Sequence, residues 1–132
     1  RPYLFSNTLI PMVAHTALHV LKHFAKKYLP LRKQLMENVK YFRKGLAKSG
    51  FRVGGDADAA IVPIFFPDEA QAVKAADALY TKGIYVRAFT YPVVPKGKAR
   101  IRVQISAAHA REHLEKALTA FKSISLPTSP LP

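Results

Sequence analysis

The first fifty residues carry apolar side chains at the spacing of two consecutive α-helices. Between Pro11 and Lys27 they recur every three or four positions, and proline suits a first helical turn, where no amide donor is needed. We expect this helix to begin near Thr8 and to be broken at Leu29-Pro30. A second stripe ends at Gly50, a residue type that often terminates helices. Its members are Leu31, Leu35, Val39, Phe42 and Leu46.

Beyond residue 50 the apolar period changes to two, which is typical of β-strands. Strands are predicted at residues 51–53, 60–66, 84–89 and 100–105. Pro63 lies in the second of these segments. Because proline cannot donate a ladder hydrogen bond, we expect that strand to lie at a sheet edge or to be bulged.

Two further helices are predicted between and after these strands. Asp68 followed by Gln71 forms a box-like capping pattern, and the helix that it begins should end at Gly83. The inward residues of this third helix are expected to be Val73, Ala76, Leu79 and Tyr80. Those of the final helix are expected to be Leu114, Ala117, Leu118, Phe121 and Ile124.

The predicted fold class is α+β, with two N-terminal helices followed by a small, mostly antiparallel sheet that has helices on one face. Residues 1–125 are expected to form one domain and residues 126–132 a loose, proline-rich tail. The longest apolar stretch, residues 59–67, is far shorter than the ~20 residues of a membrane-spanning helix. We therefore expect no membrane span.

The charge of the chain is strongly positive and unevenly distributed. The formal net charge is +13, and residues 1–52 contain eleven lysines or arginines against the single acid Glu37. Such a segment indicates either an anionic partner or a solvated helix face, and charge alone leaves both open. There is no cysteine, which excludes a disulfide framework and a cysteine nucleophile.

The fourth predicted strand presents two chemically different faces. Ile101, Val103 and Ile105 alternate with Arg100, Arg102 and Gln104. Alternation places the two guanidinium groups on the side away from the core, where a rigid element holds them towards solvent or a ligand.

Histidine and nucleic-acid motifs give weaker signals. His15, His19 and His23 are spaced for a metal, and residues 109–113 match the H-x-x-E-H peptidase pattern, but neither has the further ligands of such sites. We expect no metal site. The basic segment of residues 1–52 lacks an RNA-recognition signature, so we expect it to bind nucleic acid only weakly and in a salt-sensitive way. Ser6-Asn7-Thr8 can cap a helix or contact a phosphate.

Two segments together resemble one enzyme family. The first, residues 1–9, reads RPYLFSNTL, and the second, residues 83–109, contains YPVVPKGKARIRVQISAAH. They are similar to the α-oxoamine synthases and, within them, to the glycine C-acetyltransferases. The resemblance extends to about Phe121 and corresponds to the C-terminal third of that family.

The resemblance implies a function and a cofactor. These are fold type I pyridoxal-phosphate enzymes, homodimers whose active sites lie at the subunit interface, and the reaction joins glycine and acetyl-CoA to give 2-amino-3-oxobutyrate and CoA. In threonine breakdown the reaction runs in reverse. Arg102 matches the arginine that holds the substrate carboxylate. Ser6, with the adjacent Phe5, matches the position that reaches the cofactor phosphate of the partner subunit.

The departures from the family pattern are equally informative. No residue here matches the Schiff-base lysine, the ring-stacking histidine or the aspartate that pairs with the pyridine nitrogen, so we expect a piece of a longer protein that is inactive by itself. Ala110 stands where relatives usually carry a capping threonine, so we expect the last helix to lack a side-chain cap at its start. The resemblance implies the cytoplasm in a bacterium or the mitochondrial matrix in a eukaryote.

Two alternative functions stay open on the sequence. One is another α-oxoamine synthase, of the aminolevulinate synthase or 8-amino-7-oxononanoate synthase type, because acyl-donor selectivity also depends on residues outside this chain. The other is a basic nucleic-acid-binding module.

Overall fold

A computed structural model describes residues 9–124 of the 132, except for the side chain of Ala25. The chain divides into two compact units, Arg1–Lys33 and Gln34–Pro132. In the part that the structure describes, no helix is long and apolar enough to cross a bilayer.

The N-terminal unit consists of helical segments. Helix α1 spans Pro11–His23, a π-helical turn spans Phe24–Tyr28, and helix α2 begins at Leu29. The predicted break at Leu29-Pro30 is therefore wrong. Pro30 is the second residue of α2 and directly follows the π-helical turn, so the helical segments run on without a break.

The start of α1 also differs from the prediction. Its N-cap is Ile10, which has no side-chain capping bond, and Pro11 occupies the first turn. The helix thus begins after Thr8, and the predicted caps Ser6-Asn7-Thr8 lie outside the described residues. No residue of α1 is buried.

Helix α2 supplies one wall of the core of the second unit. It spans Leu29–Lys48, and Val39, Phe42 and Leu46 of the predicted stripe are fully buried. Gly50 follows with a φ of +82°, a conformation that glycine adopts without strain. The sequence therefore predicted this helix end closely.

The four predicted strands form a single antiparallel sheet, although each is shorter than expected. They are β1 (Arg52–Val53), β2 (Ile61–Phe65), β3 (Arg87–Phe89) and β4 (Arg100–Gln104), in the spatial order β1-β2-β4-β3. Residues 84–86, predicted as strand, precede β3 without ladder pairing.

Pro63 lies in an inner strand whose register against β4 is unbroken, so the prediction of an edge or bulged strand is wrong. In an antiparallel ladder the N–H and C=O of one residue point towards the same neighbour. The Pro63 carbonyl accepts from the Gly54 N–H at 2.9 Å, on the β1 side, where β1 has already ended at Val53. Its missing N–H therefore breaks no bond to β4.

Helix α3 spans Glu69–Thr81 and begins as predicted. Asp68 Oδ1 accepts from the Gln71 N–H at 2.7 Å, and Gln71 Nε2 donates to Asp68 Oδ2 at 2.7 Å. Its inward face is rotated from the prediction, because Val73 and Tyr80 are exposed. The buried residues of α3 are Ala72, Ala75, Ala76 and Leu79.

Helix α4 spans Arg111–Lys122, and its start is well defined despite Ala110. Ala110 offers no side-chain cap, but its own N–H donates to His113 Nδ1 at 3.2 Å, so a side chain of the first turn satisfies one amide at the helix start. Leu114, Leu118 and Phe121 are buried as predicted, and Ala117 and Ile124 are partly buried.

The core lies between the helices and one face of the sheet. Val62, Ile64, Ile101 and Val103 alternate inward along β2 and β4 and meet the buried residues of α2, α3 and α4. This arrangement confirms the predicted α+β fold with helices on one face. The opposite face carries the other set of side chains.

Candidate functional site

The face of the sheet opposite the core presents arginines and aromatic rings in register. Arg52 pairs with Phe65, Phe65 with Arg100, and Arg100 with Phe89, so these four residues form one row across all four strands. Directly opposed residues project to the same face of a sheet. The row therefore alternates cation and ring, and none of its members is an acid.

Arg102 projects from the same face as Arg100, as its alternation predicted. It is exposed, and its Cζ lies 4.4 Å from the centroid of the Phe89 ring. Arg102 and Phe89 both line a cavity of about 760 Å³ that is open to solvent on one side. An exposed guanidinium above a ring keeps its in-plane N–H donors available for a carboxylate.

Arg100 has a different environment from Arg102. It is half-buried, its Cζ lies 5.8 Å from the Phe65 ring, and its Nε is buried without a hydrogen-bond partner among the described residues. It does not line the cavity that contains Arg102. Of the two arginines on β4, Arg102 is the one placed to meet a ligand.

Two neighbours of Arg102 were not singled out from the sequence. Arg87 pairs directly with Arg102 across β3 and β4, is exposed, and lines the same cavity, as does Phe89. The second cation increases the positive potential around Arg102. The sequence places Arg87 in a predicted strand, but only the register between β3 and β4 shows that it pairs with Arg102.

The histidine motifs take structural positions. His109 Nδ1 accepts from the Ser106 N–H at 3.3 Å and His113 Nδ1 from the Ala110 N–H, so both rings order the start of α4. His19 and His23 stack with ring centroids 4.2 Å apart. Across residues 9–124, no group of three or more His, Cys, Asp or Glu side chains is placed to hold a metal ion.

Part of the basic face of α2 is occupied within the fold. Arg43 donates to the carbonyls of Gly54 at 2.9 Å, Gly55 at 3.2 Å and Asp56 at 3.5 Å, and so holds the turn between β1 and β2. Arg43 is one of the eleven lysines and arginines of residues 1–52, for which the sequence left open a solvated helix face or an anionic partner. A guanidinium engaged with three carbonyls is less available to a phosphate than a free one.

Replacing Arg43 by alanine should lower the free energy of unfolding by about 1–3 kcal/mol, because three carbonyls lose a charged donor. Lys44→Ala, at the exposed neighbouring position, should change it by less than about 0.5 kcal/mol. Urea denaturation of both variants makes the comparison. Equal losses would show that the turn does not depend on Arg43.

The predicted cofactor residues Phe5 and Ser6 lie outside the described residues. Arg102 is thus the one residue of the predicted site whose surroundings the structure describes. Its cavity wall includes the exposed guanidinium groups of Arg87 and Arg102 and the ring of Phe89, and most of the remaining wall is apolar, with core-facing residues such as Val103.

Comparisons with known proteins agree on one family. The model of the aminotransferase class I and II family matches residues 1–121. The chain is 45% identical over 124 residues to the 2-amino-3-ketobutyrate coenzyme A ligase of Salmonella typhimurium, covering 94% of the chain and 31% of that relative. It is 40% identical to the 8-amino-7-oxononanoate synthase of Petrotoga mobilis, with the same coverage of 94% and 31%.

The solved structure of serine palmitoyltransferase from Sphingomonas wittichii matches the fold with a TM-score of 0.77. The sequence identity is 31%, over 94% of this chain and 31% of that one. The chain therefore spans about a third of the length of the relatives that it matches.

Proposed function

Because this chain belongs to the aminotransferase class I and II family and has the fold of the small C-terminal domain of fold type I pyridoxal-phosphate enzymes, we propose that it is the C-terminal part of an acyltransferase. The proposed reaction joins glycine and acetyl-CoA to give 2-amino-3-oxobutyrate and CoA. The similarity to 2-amino-3-ketobutyrate coenzyme A ligase supports this choice. Residues 1–125 are proposed to act as one domain beside a larger one.

The observation that carries the proposal is the position of Arg102. It stands on a rigid strand, exposed, at the wall of a cavity, with a face-on ring at 4.4 Å and a second arginine directly opposite. A guanidinium in this setting can donate two parallel hydrogen bonds to the carboxylate of glycine. The carboxylate then fixes how the substrate Cα is presented.

The described residues fit the substrate side of a pyridoxal-phosphate site. The row of arginines on the open sheet face, and Arg87 beside Arg102, favour anionic groups, and no acid interrupts them in the paired positions. When bound, the cofactor supplies an electron sink for the carbanion that forms at the glycine Cα. This chain contributes the residue that orients the carboxylate.

We propose that the cofactor phosphate is contacted by Ser6, with Phe5 beside it, across the interface of a homodimer. Ser6→Ala should weaken cofactor affinity by about 1.5–3 kcal/mol, because a hydrogen bond to a charged phosphate is lost. Cofactor titration of the dimer measures this. Ser123→Ala is the matched control, because the Ser123 hydroxyl donates to the carbonyl of Ala120 in its own helix at 2.7 Å. If both variants bind the cofactor equally well, Ser6 does not contact it.

The direct test of the reaction is glycine-dependent release of CoA from acetyl-CoA by the full-length dimer loaded with pyridoxal phosphate. We expect release with acetyl-CoA and much slower release with longer acyl donors. CoA release that depends on alanine and a longer acyl donor would favour the 8-amino-7-oxononanoate synthase type, whose product carries a methyl group beside the amino-bearing carbon; the 40% identity to that relative keeps it as the second candidate. Residues 1–132 alone should release no CoA.

A further inference from the structure

We infer that Phe89 is a positioning residue that holds the guanidinium of Arg102 in the orientation needed to bind a carboxylate. The inference rests on the proposed role of Arg102 and adds to it a residue that fixes the geometry of the anchor. The two side chains lie on neighbouring strands, where Phe89 is opposite Arg100 and therefore diagonal to Arg102. A diagonal pair in a sheet is within reach of a ring and a long side chain.

The contact between Phe89 and Arg102 is the closest cation–ring approach on this sheet face. The Cζ of Arg102 lies 4.4 Å from the ring centroid, whereas the distances to the Phe65 ring are 5.5 Å for Arg52 and 5.8 Å for Arg100. Attraction to the ring face falls with distance and is effective within about 6 Å. Among the arginines that the structure describes on this face, Arg102 therefore has the closest ring contact.

Orientation matters here because Arg102 is exposed. A free arginine side chain samples many rotamers and loses that freedom when a carboxylate binds. A ring close to the guanidinium restricts those rotamers in advance and occupies none of its N–H donors, which stay available to a carboxylate. Phe89 therefore raises carboxylate affinity without touching the carboxylate.

The test compares Phe89→Leu and Phe89→Tyr with Phe65→Leu in the full-length dimer. Phe65 is the matched control, because it is also half-buried on the same face and lies near two arginines that are outside the cavity. By calorimetry, Phe89→Leu should raise the Kd of glycine about 2- to 30-fold, the range of a cation–ring contact. Phe89→Tyr and Phe65→Leu should leave it near the wild-type value.

A second readout separates positioning from simple packing. In the unmutated protein the side-chain protons of Arg102 should show upfield ring-current shifts, and Phe89→Leu should abolish them and increase the mobility of the Arg102 Nε in NMR relaxation. Absence of the shifts in the unmutated protein, or an unchanged glycine Kd in Phe89→Leu, would overturn the inference.

Failure of the inference and failure of the proposed function are distinguishable. If Arg102→Gln weakens glycine binding and Phe89→Leu does not, the anchor stands and Phe89 does not position it. If Arg102→Gln itself leaves glycine binding unchanged, the proposed anchor is wrong, and the inference about Phe89 fails with it.

Discussion

Replacing Arg102 by lysine is expected to raise the KM for glycine and lower turnover, with a combined loss of about 2–4 kcal/mol in kcat/KM. Lysine keeps the charge but offers only a compact ammonium group, which cannot donate two parallel bonds to a carboxylate. It also replaces the flat group that lies 4.4 Å from the Phe89 ring. Steady-state kinetics of the full-length dimer with varied glycine measures the loss.

Arg100→Lys is the matched control for this prediction. Arg100 lies on the same strand and the same face, but outside the cavity, and its Nε is buried without a partner among residues 9–124. Lysine has no Nε, so the exchange removes an unpaired donor and should leave glycine kinetics close to wild type. If Arg100→Lys impairs glycine use and Arg102→Lys does not, the anchor has been assigned to the wrong arginine.

Phe121→Ala is expected to lower the free energy of unfolding by about 3–5 kcal/mol. Phe121 is fully buried on α4 and packs edge-to-face against Phe42 and Phe51, with ring centroids 6.1 and 5.5 Å away. Truncation removes the shared ring of this cluster and leaves a cavity beneath the sheet. Urea denaturation of the 132-residue chain measures the change.

Tyr80→Ala provides the comparison for this stability prediction. Tyr80 is 65% exposed on α3, and its ring centroid lies 6.3 Å from that of Tyr85. Its replacement should therefore lower the free energy of unfolding by about 1 kcal/mol or less. Similar losses in the two variants would mean that the aromatic cluster at Phe121 is not central to the core.

Local sequence signals predicted the elements whose determinants are neighbours in the chain. Asp68 and Gln71 are three residues apart, and the Asp68 carboxylate accepts from the Gln71 N–H and from the Gln71 side-chain amide at the helix start that the pattern indicated. Val39, Phe42 and Leu46 are buried because a strong helical stripe has one apolar side to bury. Such features need no knowledge of the tertiary fold.

Features that depend on tertiary context were predicted less well. The position of Pro63 in an inner strand is possible because β1 is only two residues long, which sequence periodicity cannot reveal. The many alanines of α3 make its inward side difficult to identify from the sequence. The alanine-rich side is the buried one, whereas Val73 and Tyr80 are exposed. The break predicted at Pro30 is absent because a π-helical turn joins the two helices, which apolar periodicity does not reveal.

The residues of the candidate site show the same difference between local and tertiary determinants. Strand alternation alone placed Arg102 on the non-core face, and the family resemblance gave it a role. Phe89 and Arg87 become its neighbours only through the register of β3 against β4, a non-local property. Phe5 and Ser6 lie outside the described residues, so their roles stay predictions.

The most direct test of the central claim, that Arg102 binds the substrate carboxylate, compares glycine with glycinamide, which lacks the carboxylate charge. The wild-type dimer should prefer glycine in kcat/KM by about 30-fold or more, as expected when a charged partner is removed from an ion pair. Arg102→Gln should abolish most of that preference, and Arg100→Gln should retain it. A preference that survives in Arg102→Gln would contradict the account, because the carboxylate would then be recognised elsewhere.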